Sequence, residues 1–539
     1  MSGLEYAHVE GPPLDGLDPM IWIGDIPALG ARHCPDRSAI VFADRGERMS
    51  YAAFDGRCNA FAALAQQRGL APGDRVAYLG ANSDLYYPVL IGAIRAGLVL
   101  VPINWRLAAP EIGFQLADSG TRLLICDPAL SATATQALAG AGLSVPVIST
   151  EAVDGSGDES LRALLLRRAP ALAAAQVMDQ VILQLYTSGT TGKPKGVLIS
   201  HGALSLARHA ELRAPEFGHL GAGCISLSAM PNFHIGGMSW VLMGLVREGT
   251  VIITADPTAA NMLKLIREHR VEHSWMVPTL IRALLEGVRG EQRPAPRMKG
   301  LFYGAMAMDE SLLRAAMECF GCDFLQFFGM TENTGSATSL APLDHDSARP
   351  HLLKSVGKPY PGMSLQIRGP DRKLLKAGEH GEIWVKSPTR MLGYWKQPEK
   401  TAEALVDGWY ASGDGGYVDE QGFLYLTDRI KDMIVSGGEN VYPVEVEEAL
   451  RLHAAVLDAG VIGLPDAHWG EKLVAVVELR PGASASEAEL RTHVRSRIAG
   501  YKCPKTIIFG SLPRTASGKV QRSLLRQRLL AAPSDSNSK

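Results

Sequence analysis

The chain has 539 residues, 46% of them hydrophobic and 20% charged, which is enough apolar material for more than one domain with its own core. A net charge of -2 excludes the basic surface of a nucleic-acid-binding protein and the polybasic patch of a membrane-surface protein. Seven cysteines, an odd number, fit reduced thiols rather than a disulfide scaffold, and with them a cytoplasmic location.

The opening Met1-Ser-Gly-Leu-Glu-Tyr6 has neither the positive nor the apolar region of a signal peptide. Arg75–Leu79 reads as a strand, Asp84–Ala96 as a helix and Val99–Pro102 as the next strand. The apolar run Tyr87–Ile103 across them is broken by Arg95, so a buried helix and strand are expected and no integral membrane segment. Strands are also predicted at Leu123–Cys126, Val181–Leu185, Val251–Thr254 and Leu301–Tyr303, with helices at Ala259–His269 and Thr279–Glu286. This alternation is the pattern of α/β layers. Cys319-Phe-Gly-Cys322 has metal-site spacing but no second pair, and is expected to be structural. Gly381–Val385 and the segment Gly415–Leu426 read as antiparallel strands around turns. Composition shifts near Asp428, and beyond it a compact α+β unit is predicted. Its helices are Tyr442–Arg451 and Glu487–Ile498, and its strands Val456–Leu464, Lys472–Leu479 and Thr506–Phe509. The tail Pro533–Lys539 reads as disordered.

The segment with the most chemical content is Tyr186-Thr-Ser-Gly-Thr-Thr-Gly-Lys-Pro-Lys-Gly196, directly behind the apolar strand Val181–Leu185. Glycines let backbone N–H groups approach phosphate oxygens, hydroxyls add donors and lysines add charge. Thr187, Ser188, Gly189, Thr190, Thr191, Gly192, Lys193 and Lys195 are therefore candidate phosphate contacts. It is not a Walker A loop, because too few residues separate Gly189 from Gly192 and Pro194 stands where that loop has Ser or Thr. A flexible linker, the plainer reading of such composition, is disfavoured by the strand before it and the apolar Val197-Leu-Ile-Ser200 after it.

Further along, Phe328-Gly-Met-Thr-Glu332 offers one carboxylate beside hydroxyls, which suits Mg²⁺, an ion that keeps several waters and takes few protein ligands. Trp409-Tyr-Ala-Ser-Gly-Asp414 puts an Asp at an expected strand–turn junction, where a carboxylate can accept ribose hydroxyls. The double glycine in Ser436-Gly-Gly-Glu-Asn-Val-Tyr-Pro443 marks either a close backbone approach or a plain Gly-Gly turn. In Pro513-Arg-Thr-Ala-Ser-Gly-Lys519 a lysine sits as a compact point charge suited to a carboxylate and a phosphate together.

In this order, over roughly residues 30 to 520, these segments resemble the signatures of the acyl-adenylate-forming (AMP-binding) enzymes: acyl-CoA synthetases, carrier-protein adenylation domains and beetle luciferases. The resemblance implies an α/β fold with a large N-terminal domain of layered sheets and a small β-barrel-like part over residues 1–427. It also implies a small mobile α+β domain over 428–539, hinged near 428–432. It assigns Glu332 and Thr187 to Mg²⁺, and Phe328, Gly329, Met330 and Thr331 to the nucleotide. Gly304 and Ala305, in Tyr303-Gly-Ala305, take the adenine, Asp414 and Arg429 the ribose, and Lys431 the hinge. Gly437 and Gly438 face the pantetheine arm, and Lys519 serves the first half-reaction. His234, in Met230-Pro-Asn-Phe-His-Ile-Gly-Gly237, falls in a loop at the acyl site. It joins Lys519, Thr187 and Glu332 in the catalytic set, though not as a base, since a carboxylate is already an anion at neutral pH. Met238, Met276, Met306 and Phe328 fall near the expected acyl pocket, where methionines suit a bulky or flexible chain. The implied activity is AMP-forming ligation of an apolar carboxylic acid to coenzyme A, at the expense of ATP with Mg²⁺. Loading of a carrier-protein thiol is the alternative. The expected partners are small molecules, with no nucleic acid, and a homodimer is left open.

Overall fold

The computed structural model describes residues 4–14, 20–153, 159–187, 194–218, 220–291, 293–306, 308–429, 434–436, 439–466, 469–498, 500–515 and 518–531. Among them no helix is long and apolar enough to cross a membrane. The chain forms two compact units, residues 9–365 with 385–411, and residues 1–8 with 366–384 and 412–539. The architecture is mixed α/β, with layered sheets and a curled half-barrel sheet in the large N-terminal part and a smaller C-terminal part.

The larger unit holds two sheets. In one, Val181–Thr187, Val99–Ile103, Arg75–Leu79, Thr121–Cys126 and Val147–Ser149 lie side by side in that order, with Lys195–Ser200 and Gly393–Tyr394 added antiparallel beyond Val181–Thr187. All five residues of Val99–Ile103 are buried, as a parallel strand covered on both faces requires. Helix Tyr86–Arg95 is buried along its whole length. It tolerates Arg95 because the guanidinium donates to Asp55 Oδ1 (2.6 Å), Asn59 Oδ1 (2.7 Å) and the Gly24 carbonyl (3.1 Å).

The second sheet runs in the order Lys358–Pro359, Gly335–Leu340, Asp323–Met330, Gly300–Gly304, His273–Met276, Ile225–Ser228, Thr250–Ile253, Ser38–Phe42 and Glu47–Ser50. Its inner strands are parallel. Tyr303, Phe324, Leu227, Ile252, Met262 and Leu284 pack into one core on this sheet. From Ile225–Ser228 the chain adds Thr250–Ile253 on one side and then His273–Met276 on the other. That reversal is a topological switch point, where an α/β sheet opens a crevice at the carboxyl ends of its strands.

In the smaller unit, residues 414–418 of strand Trp409–Val418 pair antiparallel with Leu424–Arg429. A separate sheet takes Glu439–Val441, Ile434–Ser436, Gly470–Leu479 and Val456–Asp466 in order, with Thr506–Phe509 on the free side of Gly470–Leu479. Helices Pro443–Arg451 and Glu487–Arg495 bury Val446, Leu450, Leu490 and Val494 in one core with Ile434, Val461 and Ala475 from the strands. Residues 533–539, expected to be disordered, lie outside the described residues.

Candidate active site

Thr187 ends the strand Val181–Thr187 and pairs with Lys195, the first residue of the returning strand. These two residues are the described flanks of the segment expected to hold phosphate; Ser188, Gly189, Thr190, Thr191, Gly192 and Lys193 lie outside the described residues. The next strand across is Gly393–Tyr394, with Tyr394 opposite Val197. Lys195 Nζ sits 4.2 Å from the centre of the Tyr394 ring. The Tyr394 hydroxyl in turn donates to Glu332 Oε1 (3.0 Å). Burial, with the Glu332 carboxylate next, raises the Tyr394 phenol, so it stays a protonated donor across the working pH range. The Met391 N–H donates to the Glu332 carbonyl (2.7 Å), and the Thr389 hydroxyl to that of Asn333 (3.0 Å). Residues 389–394 thus fix the backbone and one carboxylate oxygen of the Glu332 turn. Tyr394 lacks any sequence signal: its link to Glu332 spans 62 residues and a two-residue strand.

Phe328, Gly329 and Met330 close the strand Asp323–Met330, and Thr331 and Glu332 open a single 3-10 turn after it. The register against Gly335–Leu340 shifts between Phe328 and Gly329. Gly329 is required there, since a Cβ would fall 2.0 Å from the Gly335 carbonyl oxygen. Glu332 is buried, with only 9% of its surface exposed, so its carboxylate faces a restricted space rather than bulk water.

Gly304 ends the neighbouring strand and lies beside Phe327, whose carbonyl oxygen would be 2.5 Å from a Cβ at Gly304. Ala305 follows in the left-handed region, at φ 64°. Tyr303 is anchored behind them. Its hydroxyl donates to His345 Nε2 (3.0 Å), while His345 Nδ1–H donates to the Ala341 carbonyl (2.9 Å). Burial pushes the His345 imidazole down to about 4, with the bond to Ala341 acting the other way. Between the ordinary histidine value and about pH 4 the unfolded chain binds a proton that the native chain does not, so stability must fall as pH drops through that window. The expected loss is up to about 3 kcal/mol. Urea unfolding of the wild type and His345→Gln at pH 7.5 and 5.0 measures it: the variant should be less stable at the higher pH and show the shallower pH dependence. Identical slopes would remove His345 from the account.

His234 sits in the loop that leaves Ile225–Ser228, one residue before the helix Ile235–Val246, and is exposed, with its ring 4.6 Å from that of Phe233. Met238 and Met276 are fully buried, Phe328 nearly so, and Met306 half-buried. The segments carrying His234, Met276, Gly304–Ala305 and Met330–Glu332 thus all leave the carboxyl ends of adjoining strands. The fold brings them to one edge of one sheet.

Asp414, Arg429 and Lys519 belong to the smaller unit. Asp414 was expected at a strand–turn junction and instead lies inside the strand Trp409–Val418, opposite Arg429, where the register shifts before Gly416. The bulge rather than a strand end turns it, with Gly413 at φ 71° and its N–H bonded to Glu382 Oε1 (2.9 Å). Lys519 is exposed on a tight hairpin in which the Thr515 N–H donates to the Lys519 carbonyl (2.8 Å) and the Lys519 N–H to Thr515 Oγ1 (3.1 Å). Arg514 holds the base of that hairpin against Asp458 (2.7 Å) and Glu478 (2.8 Å). Strands Ile434–Ser436 and Glu439–Val441 pair across the double glycine, while Gly437, Gly438 and Lys431 lie outside the described residues. Cys319 and Cys322 are free thiols, and burial pushes Cys322 up to about 12, which keeps it protonated at neutral pH.

A crevice at the carboxyl edge of a parallel sheet, where strand order reverses, is where α/β enzymes hold nucleotides. The chain belongs to the AMP-binding enzyme family: that family's profile matches residues 29–395, and the profile of the AMP-binding enzyme C-terminal domain matches residues 445–519. It is 36% identical over 502 residues to the fatty acid–[acyl-carrier-protein] ligase ScoC of Streptomyces coeruleorubidus, covering 92% of this chain and 94% of that one. It is also 36% identical over 516 residues to a feruloyl-CoA synthase of an Amycolatopsis species, covering 94% and 99%. Among solved structures, ATP-bound MatB from Rhodopseudomonas palustris superposes with a TM-score of 0.82 at 30% identity, over 94% of this chain and 98% of that one. The protein is therefore an enzyme of the adenylating fold.

Proposed function

We infer that this enzyme is an AMP-forming carboxylic acid–coenzyme A ligase. The carboxylate of a largely apolar acid attacks the α-phosphorus of ATP, the bond to the β-phosphate breaks, and pyrophosphate leaves. The thiolate of coenzyme A then attacks the acyl-adenylate carbonyl, releasing AMP. The observation that carries this reading is the Lys195–Tyr394–Glu332 chain of contacts, which ties the root of a phosphate loop to a buried carboxylate at the crevice.

In this reading Thr187, Lys195 and the loop 188–193 hold the departing pyrophosphate, and Phe328–Thr331, Gly304 and Ala305 border the nucleotide. Glu332, a buried carboxylate, with the Thr187 hydroxyl is the set that would hold Mg²⁺, an ion content with one or two protein ligands. When bound, Mg²⁺ would neutralise phosphate charge. Asp414 and Arg429 take the ribose, Lys519 orients the reacting carboxylate and phosphate, and His234 borders the acyl carboxylate. Lys431 and the 428–432 segment allow residues 428–539 to exchange Lys519 for Gly437 and Gly438 between half-reactions. Such transfer needs positioning and charge more than covalent help.

The test is pyrophosphate release from ATP and Mg²⁺ across a panel of carboxylic acids, with and without coenzyme A. Turnover that needs coenzyme A and yields AMP and a thioester is the expected result. The likeness to a ligase named for an acyl-carrier-protein substrate supports a second reading, transfer to a carrier-protein thiol. A stoichiometric burst of pyrophosphate without thioester would select it.

A further inference from the structure

The strand pair that carries Thr187 and Lys195 rests on a closed circuit of side chains in the larger unit. The Tyr186 hydroxyl donates to Asp118 Oδ2 (2.6 Å), on the last turn of helix Ala109–Ser119, and accepts from Gln184 Nε2 (2.9 Å). Gln184 Oε1 accepts from Arg75 Nε (3.5 Å). The Arg75 guanidinium lies over the Trp395 ring, 3.8 Å from its centre. Trp395 Nε1–H returns to Asp118, donating to its carbonyl (2.8 Å).

The circuit grips both strands one residue away from Thr187 and Lys195. Tyr186 precedes Thr187, and its partner in the ladder, Gly196, follows Lys195. The Gly196 carbonyl accepts from the Trp395 N–H (2.7 Å). A Cβ on Gly196 would fall 2.8 Å from Gln184 Nε2, so its backbone lies directly against the fully buried amide. Tyr186 thus reaches Asp118 directly and Gly196 reaches it through Trp395, and both flanks share one anchor. Burial, with the bond to Asp118 next, raises the Tyr186 phenol, so it remains a donor at neutral pH. A connected network of this kind stiffens what it holds.

We propose that Asp118 and Trp395 are positioning residues for ATP: they fix Tyr186 and Gly196, and through them set Thr187 and Lys195 where the triphosphate is held. The proposal rests on the adenylation reading and extends it to residues that need not touch the nucleotide. Donors to phosphate work only when held to within about half an ångström, and donors ordered before binding spare the cost of ordering them afterwards. The acid should be indifferent to the circuit, because His234 and Met276, the residues assigned beside it, leave strands of the other sheet.

The test measures ATP affinity by calorimetry, with Mg²⁺ and without acid, and then KM for ATP and for the acid in pyrophosphate release. Wild type, Tyr186→Phe, Trp395→Phe and Asp118→Asn are compared after thermal unfolding has shown all four folded. Tyr186→Phe removes the hydroxyl from both its bonds, and Trp395→Phe keeps a ring under Arg75 but loses the indole donor. Each should weaken ATP binding and raise KM for ATP about fivefold to tenfold, with KM for the acid within about twofold of wild type. Asp118→Asn keeps an oxygen that accepts from Tyr186 and should stay within about twofold of wild type throughout. Combining Tyr186→Phe with Trp395→Phe should cost well short of the product of the single losses, since either change opens the same circuit. A role confined to folding would lower the melting temperature and leave the ATP affinity of the folded protein unchanged. That result, or an equal rise in KM for ATP and acid, overturns the inference and leaves the ligase reading standing. A folded wild type that binds no ATP brings down both.

Discussion

Replacing Lys519 by Ala should abolish acyl-adenylate formation while leaving the second half-reaction largely intact. Pyrophosphate release is expected to fall about 10²- to 10³-fold, the usual effect of removing one group that stabilises transition-state charge. Conversion of supplied acyl-AMP to thioester should change by less than about threefold, because thiol attack needs no cation on the α-phosphate. The local structure supports so selective an outcome. Lys519 is exposed, and its hairpin is held by backbone bonds to Thr515, by Gly518 at φ 86° and by Arg514 against Asp458 and Glu478. Burial alone would raise the Asp458 carboxyl, but the bond from Arg514 and the nearby Arg451 outweigh it and hold it below the usual range. The hairpin's anchor is therefore an ion pair at neutral pH, untouched by the substitution. Equal loss in both assays would assign Lys519 to both steps.

What could be read from residues alone divides along physical lines. Strands with fully apolar runs bounded by turn residues, such as Arg75–Leu79 and Thr506–Phe509, lie where their sequences put them. Val181–Leu185 runs on to Thr187 because its pairing with Lys195 extends the ladder to the loop's root. Helices with one apolar stripe, Ala259–Glu268 among them, were also legible. Helices His201–Arg213 and Ile235–Val246 were not, because elements buried on every side show no stripe. Tyr394 escapes notice for a different reason: an aromatic in a two-residue strand has no local pattern, and its meaning comes only from Glu332 far along the chain. Motifs mark the candidate nucleotide residues, and tertiary structure is needed to find the groups that brace them, as Tyr394 braces Glu332.

The second large effect concerns Glu332, whose place in that support network makes Gln an informative replacement. The carbonyl oxygen of Gln can still accept from the Tyr394 hydroxyl (3.0 Å in the wild type), and the Met391 bond to the residue-332 backbone is unaffected. Glu332→Gln therefore changes charge and little else, and its melting temperature should stay within about 2 °C of wild type. A neutral amide is a much poorer partner for Mg²⁺ than a carboxylate, which is the hard, charged ligand the ion prefers. Pyrophosphate release at fixed Mg²⁺ should drop about 10²-fold, and the Mg²⁺ concentration for half-maximal rate should rise by about tenfold or more. Titrating Mg²⁺ at saturating ATP separates the two roles open to this residue. A shifted curve whose maximum partly recovers identifies a metal ligand. An unshifted curve with a lowered plateau would mean that Glu332 acts only through Tyr394 and Lys195, as a brace for the loop, and the Mg²⁺ assignment would be wrong.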